Sequence, residues 1–511
     1  MRNLIPPKRM LECERAYFET SGIASIDMME QAAHALLRRV IAHAGGQKRV
    51  YFACGPGGNG GDGYACARLW HAMGGDCRIF ETMSPRAADA IENRGRAMEA
   101  GIPILTSGIP DRLPAPDVWV DALYGTGLSR APEGPGAELI LRMNADRRLH
   151  GARVIAADIP SGLNGTTGVK YEPCVQADET VTFELAKPGH FLQDGLDVCG
   201  NVHIAPIGFP ESAFETERPE DLCCLFTPQD LRYSFPPRTR NSYKNVYGHL
   251  LIVAGSFGMA GAAALCAQAA LRSGVGLVSI ACPESIVSIL QVLAPCAMCI
   301  PLKESGGAIG PGNEDTLRQA LSGKTAVAIG CGLTQKVPEG IIRIVLESGI
   351  PAVIDADAIN IISGSVNLRA QLRGNHILTP HPGEAARLLG RRVSDPISDA
   401  RELARLGANI VLKGASRVVS NGKTALVSAS GSCGMARGGS GDIFTGILGA
   451  VLAASGVGKA AYPAMLPMLA AAACEIHGLC GELAQAKYGP RAANSADLIE
   501  FLPEVFQSYV D

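Results

Sequence analysis

The chain has no excess of positive charge: 46 Lys plus Arg stand against 49 Asp plus Glu, a formal net charge of -3 over 511 residues. A nucleic-acid surface needs a basic footprint, so a nucleic-acid partner is not expected. Aromatic residues are scarce, at 5%. The 16 cysteines are scattered without even spacing, and neither Cys174 nor Cys223–Cys224 has further ligands at zinc spacing. They read as reduced thiols of a cytoplasmic protein, not as a disulfide framework or a zinc cluster. Long apolar runs are missing too, since Ala460–Cys474 is interrupted by Pro463 and Pro467, too short and too broken to cross a bilayer. The first residues, MRNLIPPKRMLECERAYFETSG, acquire charge at once and carry no cleavable apolar leader, so neither secretion nor a membrane partner is expected.

What the chain has in abundance is glycine, 60 residues, within a composition that is 47% hydrophobic. Tight turns and Ala-rich helices against buried strands suit an α/β enzyme. Short β-branched runs such as RVYFAC (49–54), RVIAADIP (153–160), HLLIVAGS (249–256) and NIVLKG (409–414) alternate with helical segments and end in Gly, Asp or Pro. Such strands predict parallel sheets with functional loops at their carboxyl ends. The alternation fails once, in a polar, proline-bearing stretch. The expected division is residues 1–215, a linker over 216–230, and residues 231–511.

In the first half, CGPGGNGGDGYACARLW (Cys54–Trp70) follows a strand and opens a helix. Glycines let backbone N–H groups converge, and a helix N-terminus favours an anion, so the loop has phosphate-binding character without matching GxGxxG or a lysine-bearing P-loop. Two later strand ends bring Asp121, Asp158 and Ser161. If the strands are neighbours, Asn59, Asp121 and Ser161 place hard oxygens around a cation, with Asp158 facing the same crevice. Lys187 ordinarily reads as a solvated strand end; the other reading makes it a cation for dinucleotide phosphates or a partner of Asp158.

GPGGNGGDG, DALYGTGL, DIPSGLNGTTG and TVTFELAKPG, in that order, resemble the motif series of the NAD(P)H-hydrate epimerases, and the opening helix Arg9–Ala33 resembles the same family's N-terminal segment. The resemblance implies a Rossmann-like three-layer domain that interconverts the two epimers of hydrated NADH or NADPH. It assigns Gly58, Asn59, Gly60, Gly61 and Asp62, with Gly125, Thr126, Gly127, Leu128, Ser129, Arg130 and Ala131, to the substrate. It assigns Asp158 to the hydrated ring as a catalytic residue, and Asn59, Asp121 and Ser161 to K+. The family usually has two asparagines where this chain has Gly58 before Asn59.

In the second half, MARGGSGDIFTGILGA (Met435–Ala450) sets Asp442 among glycines at a helix start. Asp442 reads either as a helix cap or as a base that takes a hydroxyl proton while N–H groups hold a phosphoryl group. AIGCGL (328–333), DADAIN (355–360), TPHPGE (379–384) and VLKGAS (411–416) precede it, each at a predicted strand end. The series resembles the ADP-dependent NAD(P)H-hydrate dehydratases, which have a ribokinase-like α/β domain. By that resemblance Asp442 is the catalytic base and Gly441 belongs to the turn receiving nucleotide phosphates. Ala262, Gly332 and His381 meet the hydrated substrate, and Lys413, Gly414, Ala415, Ser416 and Arg417 meet the adenosine. Arg417 departs from the small hydroxyl residue common there.

The implied reaction makes the substrate hydroxyl attack a nucleotide phosphoryl group, giving an ester that eliminates readily. Mg2+ held largely by the phosphates assists, and Glu384 and the Asp355/Asp357 pair could reach it through water; these three also read as a helix-start Glu and strand-end turn residues. The fused form resembles the bacterial version, which implies ADP. The expected partners are the small molecules NADHX, NADPHX and ADP, and the expected assembly is a homo-oligomer. The competing reading is a ribokinase-like vitamin-precursor kinase with a non-catalytic nucleotide- or RNA-binding first domain.

Overall fold

The computed structural model describes residues 1–511 except 45–47, 107, 109, 111–112, 216–217, 219–221, 236 and 456–461. The chain forms two compact units, Asn3–Leu222 and Cys223–Asp511, the second including Met1 and Arg2. Much of the first part of the expected linker, residues 216–221, lies outside the described residues. Its last part is built into the second unit: Cys223–Phe226 is a strand paired parallel with Ala425–Ser428. Thr227 then begins the short helix Pro228–Tyr233 with a capping box closed by Asp230.

The first unit holds a seven-stranded sheet with the order Ile104–Leu105, Asp76–Glu81, Arg49–Cys54, Val118–Ala122, Arg153–Ala157, Glu179–Phe183, Asn201–Ala205. Every pairing in it is parallel. The chain starts in the middle, at Arg49–Cys54, works out to one edge, then returns to Val118–Ala122 and works out to the other. The carboxyl ends of those two central strands therefore diverge into a crevice, where an open α/β sheet receives its ligand. Strands buried on both faces are covered by Ser25–Ala44 and Gly58–Ala72 in one apolar cluster and by Gly134–His150 in another.

The second unit repeats the principle. From Met298–Leu302 the sheet runs through Leu277–Pro283, His249–Val253, Ala326–Ile329, Ala352–Ile354, His376–Leu378 and Asn409–Leu412 in parallel, then through Arg417–Ser420 and Ala425–Ser428, which pair antiparallel. The switch point lies between His249–Val253 and Ala326–Ile329. Helices Ala260–Arg272, Ser440–Ala454 and Tyr462–Tyr488 bury their small side chains in one large core. The apolar run expected to stop at Cys474 continues as helix to Tyr488 with Pro467 inside it. Its apolar window is long enough to cross a membrane by composition alone, yet 83% of that window is buried within the fold, as in a core helix.

Candidate functional sites at the two sheet switch points

At the first switch point the glycine loop is dictated by contact. A Cβ on Gly55 would stand 1.7 Å from the Leu123 carbonyl oxygen, and one on Gly60 1.9 Å from that of Gly55. The loop thus presses against the neighbouring strand end, and helix Gly58–Ala72 starts there. A cavity of about 930 Å³ opens above, lined among others by Glu14, Gly58, Asn59, Asp62, Gly125, Thr126, Gly127, Leu128, Ser129, Asp158 and Lys187. Most of the sequence-expected substrate residues are brought together. Gly60 and Gly61 are not in its wall: they are buried, and a Cβ on Gly61 would meet the Met29 sulfur at 2.5 Å. Arg130 and Ala131 are exposed beyond the lining.

Asp158 follows the strand Arg153–Ala157 with a positive φ of 61°. Its Oδ1 accepts from Lys187 Nζ at 2.5 Å and Thr182 Oγ1 at 2.9 Å. Burial alone would raise its pKa, but the Lys187 charge and hydrogen bond outweigh it and hold the carboxyl below its usual range. Lys187 is therefore not a solvated strand end; its side chain is 2% exposed. His190 completes the arrangement: Nδ1 accepts from the Lys187 N–H at 3.2 Å, so Nε2 carries the proton donated to the Asp158 carbonyl at 3.0 Å. Burial, then the Lys187 charge, drives His190 down to about 4, which keeps it neutral. Glu14 had no sequence signal beyond its place in the opening helix; burial pushes it to about 7.

Asp121 is fully buried and accepts from Ser161 N at 2.7 Å and Ser161 Oγ at 2.6 Å. Burial raises it to about 6 against those hydrogen bonds. Ser161 Oγ also accepts from the Tyr124 N–H at 2.8 Å, and the buried Nδ2 of Asn59 has no partner among the described residues. Asn59 is against the same strand ends, with its Cβ 3.4 Å from where a Cβ on Gly125 would be. Among the described residues Asp121 is a buried carboxylate with no basic side chain hydrogen-bonded to it, and the unpaired Asn59 atom is an amide NH2 donor.

At the second switch point Gly439 takes a φ of 93° and starts helix Ser440–Ala454, leaving Asp442 in the first turn. Burial raises the Asp442 pKa, while a hydrogen bond from the Cys331 thiol and the Lys413 charge act against it. Beneath the turn, Asp355 Oδ1 accepts from Lys413 Nζ at 2.6 Å and Oδ2 from Thr445 Oγ1 at 2.7 Å. A Cβ on Gly441 would lie 3.7 Å from both Lys413 Nζ and Asp355 Oδ2, so the ammonium stands beside the glycine turn. Lys413 thus stands against the glycine turn, whereas Gly414 and Ala415 are exposed and Ser416 is buried. Arg417 turns inward from a fully buried strand. Its guanidinium donates to the Ser430 carbonyl at 2.7 Å and meets His477 Nδ1 at 3.1 Å.

Ala262 and Gly332 come together: a Cβ on Gly332, whose φ is 62°, would be 3.0 Å from that of Ala262. His381 caps helix Pro382–Leu389, accepting from Gly383 N at 3.0 Å, while Glu384 accepts from His381 N at 2.9 Å. The His381 side chain remains 52% exposed, with its Nε2 3.5 Å from Glu384 Oε1. Asp355, Asp357 and Glu384 are each engaged, Asp357 accepting from Thr334 N at 2.8 Å. Among the described residues no group of three or more His, Cys, Asp or Glu could hold a metal.

A family model described as NAD(P)H-hydrate dehydratase matches residues 250–504, and one described as YjeF-related protein N-terminus matches residues 25–189. The bifunctional NAD(P)H-hydrate repair enzyme Nnr of Thermofilum pendens is 33% identical over 520 residues, covering 98% of this chain and 95% of that one. Its namesake in Escherichia coli K12 is 33% identical over 503 residues, covering 96% and 92%. Among solved structures, an ADP/ATP-dependent NAD(P)H-hydrate dehydratase from Bacillus subtilis, crystallised with ATP/Mg2+, is 28% identical, covers 56% of this chain and 98% of that one, and gives a TM-score of 0.45. The chain belongs to the family of bifunctional NAD(P)H-hydrate repair enzymes.

Proposed function

We propose that the chain returns hydrated NADH and NADPH to their reduced forms. The first domain interconverts the R and S hydrates, and the second dehydrates the S form while ADP becomes AMP and phosphate. The observation that carries the reading is the match along nearly the whole chain to two-domain repair enzymes. The two crevices support it, each with a reactive carboxyl at a sheet switch point.

In the second domain Asp442 takes the proton of the substrate hydroxyl, whose oxygen then attacks the nucleotide's terminal phosphoryl group. Its raised pKa makes it a better base than a solvated aspartate. The N–H groups of the Gly438–Gly441 turn and the nearby Lys413 stabilise charge on the transferred group. Mg2+ would be held chiefly by the phosphates, because the local carboxylates are already engaged. In the first domain K+ would sit on Asp121 with Asn59 and Ser161, compensating the buried carboxylate that orders Leu123 and Ser161.

The test gives the purified chain both hydrate epimers with Mg2+, K+ and either ADP or ATP, and follows the return of reduced-nicotinamide absorbance at short times. Complete recovery with ADP is expected, falling to partial recovery for Asp158→Ala. If no nucleotide restores absorbance, the repair reading fails.

A further inference from the structure

The first cavity holds acids in two different environments. Asp158 is held by Lys187 and Thr182, which favour its ionised form. Asp62, on helix Gly58–Ala72, is 9% exposed, lines the same cavity, and has no hydrogen bond or ion pair to its carboxyl among the described residues. A buried carboxyl without a partner keeps its proton. Its surroundings agree: burial, then the negative charges of Asp158 and Glu14, raise it well above the usual range, with Asp89 adding to this and Lys187 opposing. The buried thiols of Cys54 and Cys66 are also near it and stay protonated. Two carboxyls in one cavity, held in opposite protonation states, divide as an acid and a base do.

Hydration of an enamine puts the hydroxyl on the carbon bonded to the ring nitrogen. Inversion there needs no oxidant. Resting on the epimerase reading above, we propose that Asp62 is the acid that protonates the departing hydroxyl and that Asp158 is the base that takes a proton from the water adding to the opposite face. In the first step the carbon–oxygen bond breaks with its electron pair going to oxygen, water leaves, and the nitrogen lone pair forms a C=N bond. In the second, water's oxygen bonds to the other face of that carbon, the C=N pair returns to nitrogen, and the proton passes to Asp158. The proton count closes: one is given by Asp62 and one is received by Asp158. The resulting state is the one required for the reverse inversion, and Lys187 favours return of the proton from Asp158 to Asp62 through solvent.

The experiment uses the full-length chain and one pure hydrate epimer in water enriched in oxygen-18, with Asp62→Asn and Glu14→Gln as the variants. We expect one solvent oxygen per inversion in the wild type. Asp62→Asn should lower the inversion rate between about 10² and 10⁴-fold, with hydrate KM within about threefold, the range expected when uniform binding is untouched. The alkaline decline of kcat, which reports the protonated acid, should vanish from the residual rate of Asp62→Asn. Binding of the hydrate by that variant, measured calorimetrically, checks that the site is intact. The pair is overturned if Asp62→Asn keeps the wild-type rate, if it loses only KM, if Glu14→Gln abolishes turnover instead, or if inversion occurs without solvent oxygen, which would mean ring opening. A wild type that interconverts nothing overturns the epimerase reading and the pair with it; a wild type that does so with a fully active Asp62→Asn overturns the pair alone.

Discussion

Each domain sets an aspartate at a strand end against a lysine from later in the chain: Asp158 with Lys187, and Asp355 with Lys413. Each also carries a second carboxyl, Asp62 or Asp442, on a helix entered through glycines and raised by burial. The domains differ in where the lysine's charge is available. Lys187 is enclosed and bonded to both Asp158 and Thr182. Lys413 pairs with Asp355 but stands beside the Gly441 turn, where it adds to the field of the helix start. A neutralised cation suits proton movement on a bound ring, and an accessible one suits a phosphoryl group. On the proposed function, one local device would serve two chemistries according to the reach of its ammonium.

The largest effect expected from this comparison is that of Asp442→Asn. Loss of a positioned base should lower ADP-dependent dehydration between about 10² and 10⁴-fold and leave hydrate interconversion at its wild-type rate. Assays of each step with a pure epimer would check this, and a matching fall in both rates would break the separation of the two sites.

Next come the lysines. Removing one partner of a buried ion pair leaves the other charge uncompensated and costs about 3–5 kcal/mol. Lys187→Met and Lys413→Met should therefore both lower Tm in calorimetric unfolding of the full chain. They should part in kinetics, with Lys413→Met alone raising the nucleotide KM. If Lys187→Met did so too, the contrast in reach would be wrong.

Acid–base behaviour sharpens the contrast with a smaller signal. Burial would raise Glu179, but hydrogen bonds from Arg39 at 2.6 and 2.8 Å and His43 at 2.8 Å bring it down to about 2. Its contribution to stability is present above an unfolded pKa near 4.5 and disappears as pH falls through about 2. In the second domain, burial holds Glu475 up at about 7, where it bonds Ser428 and Ser430. That contribution is full below about 4.5 and disappears as pH rises through about 7. Glu179→Gln should flatten the acid limb of the Tm profile and Glu475→Gln the neutral-to-alkaline limb.

Much of this was legible in the sequence because ligand loops in open α/β sheets lie at strand ends, and strand ends announce themselves by Gly, Asp and Pro. Asn59, Asp62, Asp121, Asp158 and Ser161 are singled out that way, and Asp442 and Gly441 by glycines at a helix start. What escaped depends on side-chain direction after the chain has folded. Lys187 reads from the sequence either as a solvated strand end or as a partner of Asp158, and only the fold decides for the second. Lys413 and Arg417 are four residues apart, yet one faces the glycine turn and the other the core, because an exposed bend at 414–415 separates them before a buried strand begins. His477 lies in a long apolar helix, where no local pattern marks its approach to Ser440 Oγ at 3.3 Å. Glu14 lies in the opening helix, where no local pattern marks its place in the cavity wall.

Gly58 offers the finest distinction. Within one loop, Gly55 and Gly60 are fixed by carbonyl oxygens less than 2 Å from any added Cβ. At Gly58 nothing lies within 4 Å of an added Cβ, and its φ is not in the left-handed region. The missing side chain therefore belongs to the cavity wall and not to the backbone. Gly58→Asn should leave Tm nearly unchanged, within the ±0.5 kcal/mol or so typical of an unstrained open position. It should alter hydrate KM by only a few-fold in either direction, through a new polar group facing the ligand. Gly60→Ala, tested beside it, should instead lower Tm, because the new methyl has nowhere to go without moving backbone. Equal effects from the two substitutions would mean that this loop is a single rigid turn, and that the glycine at 58 is there for shape.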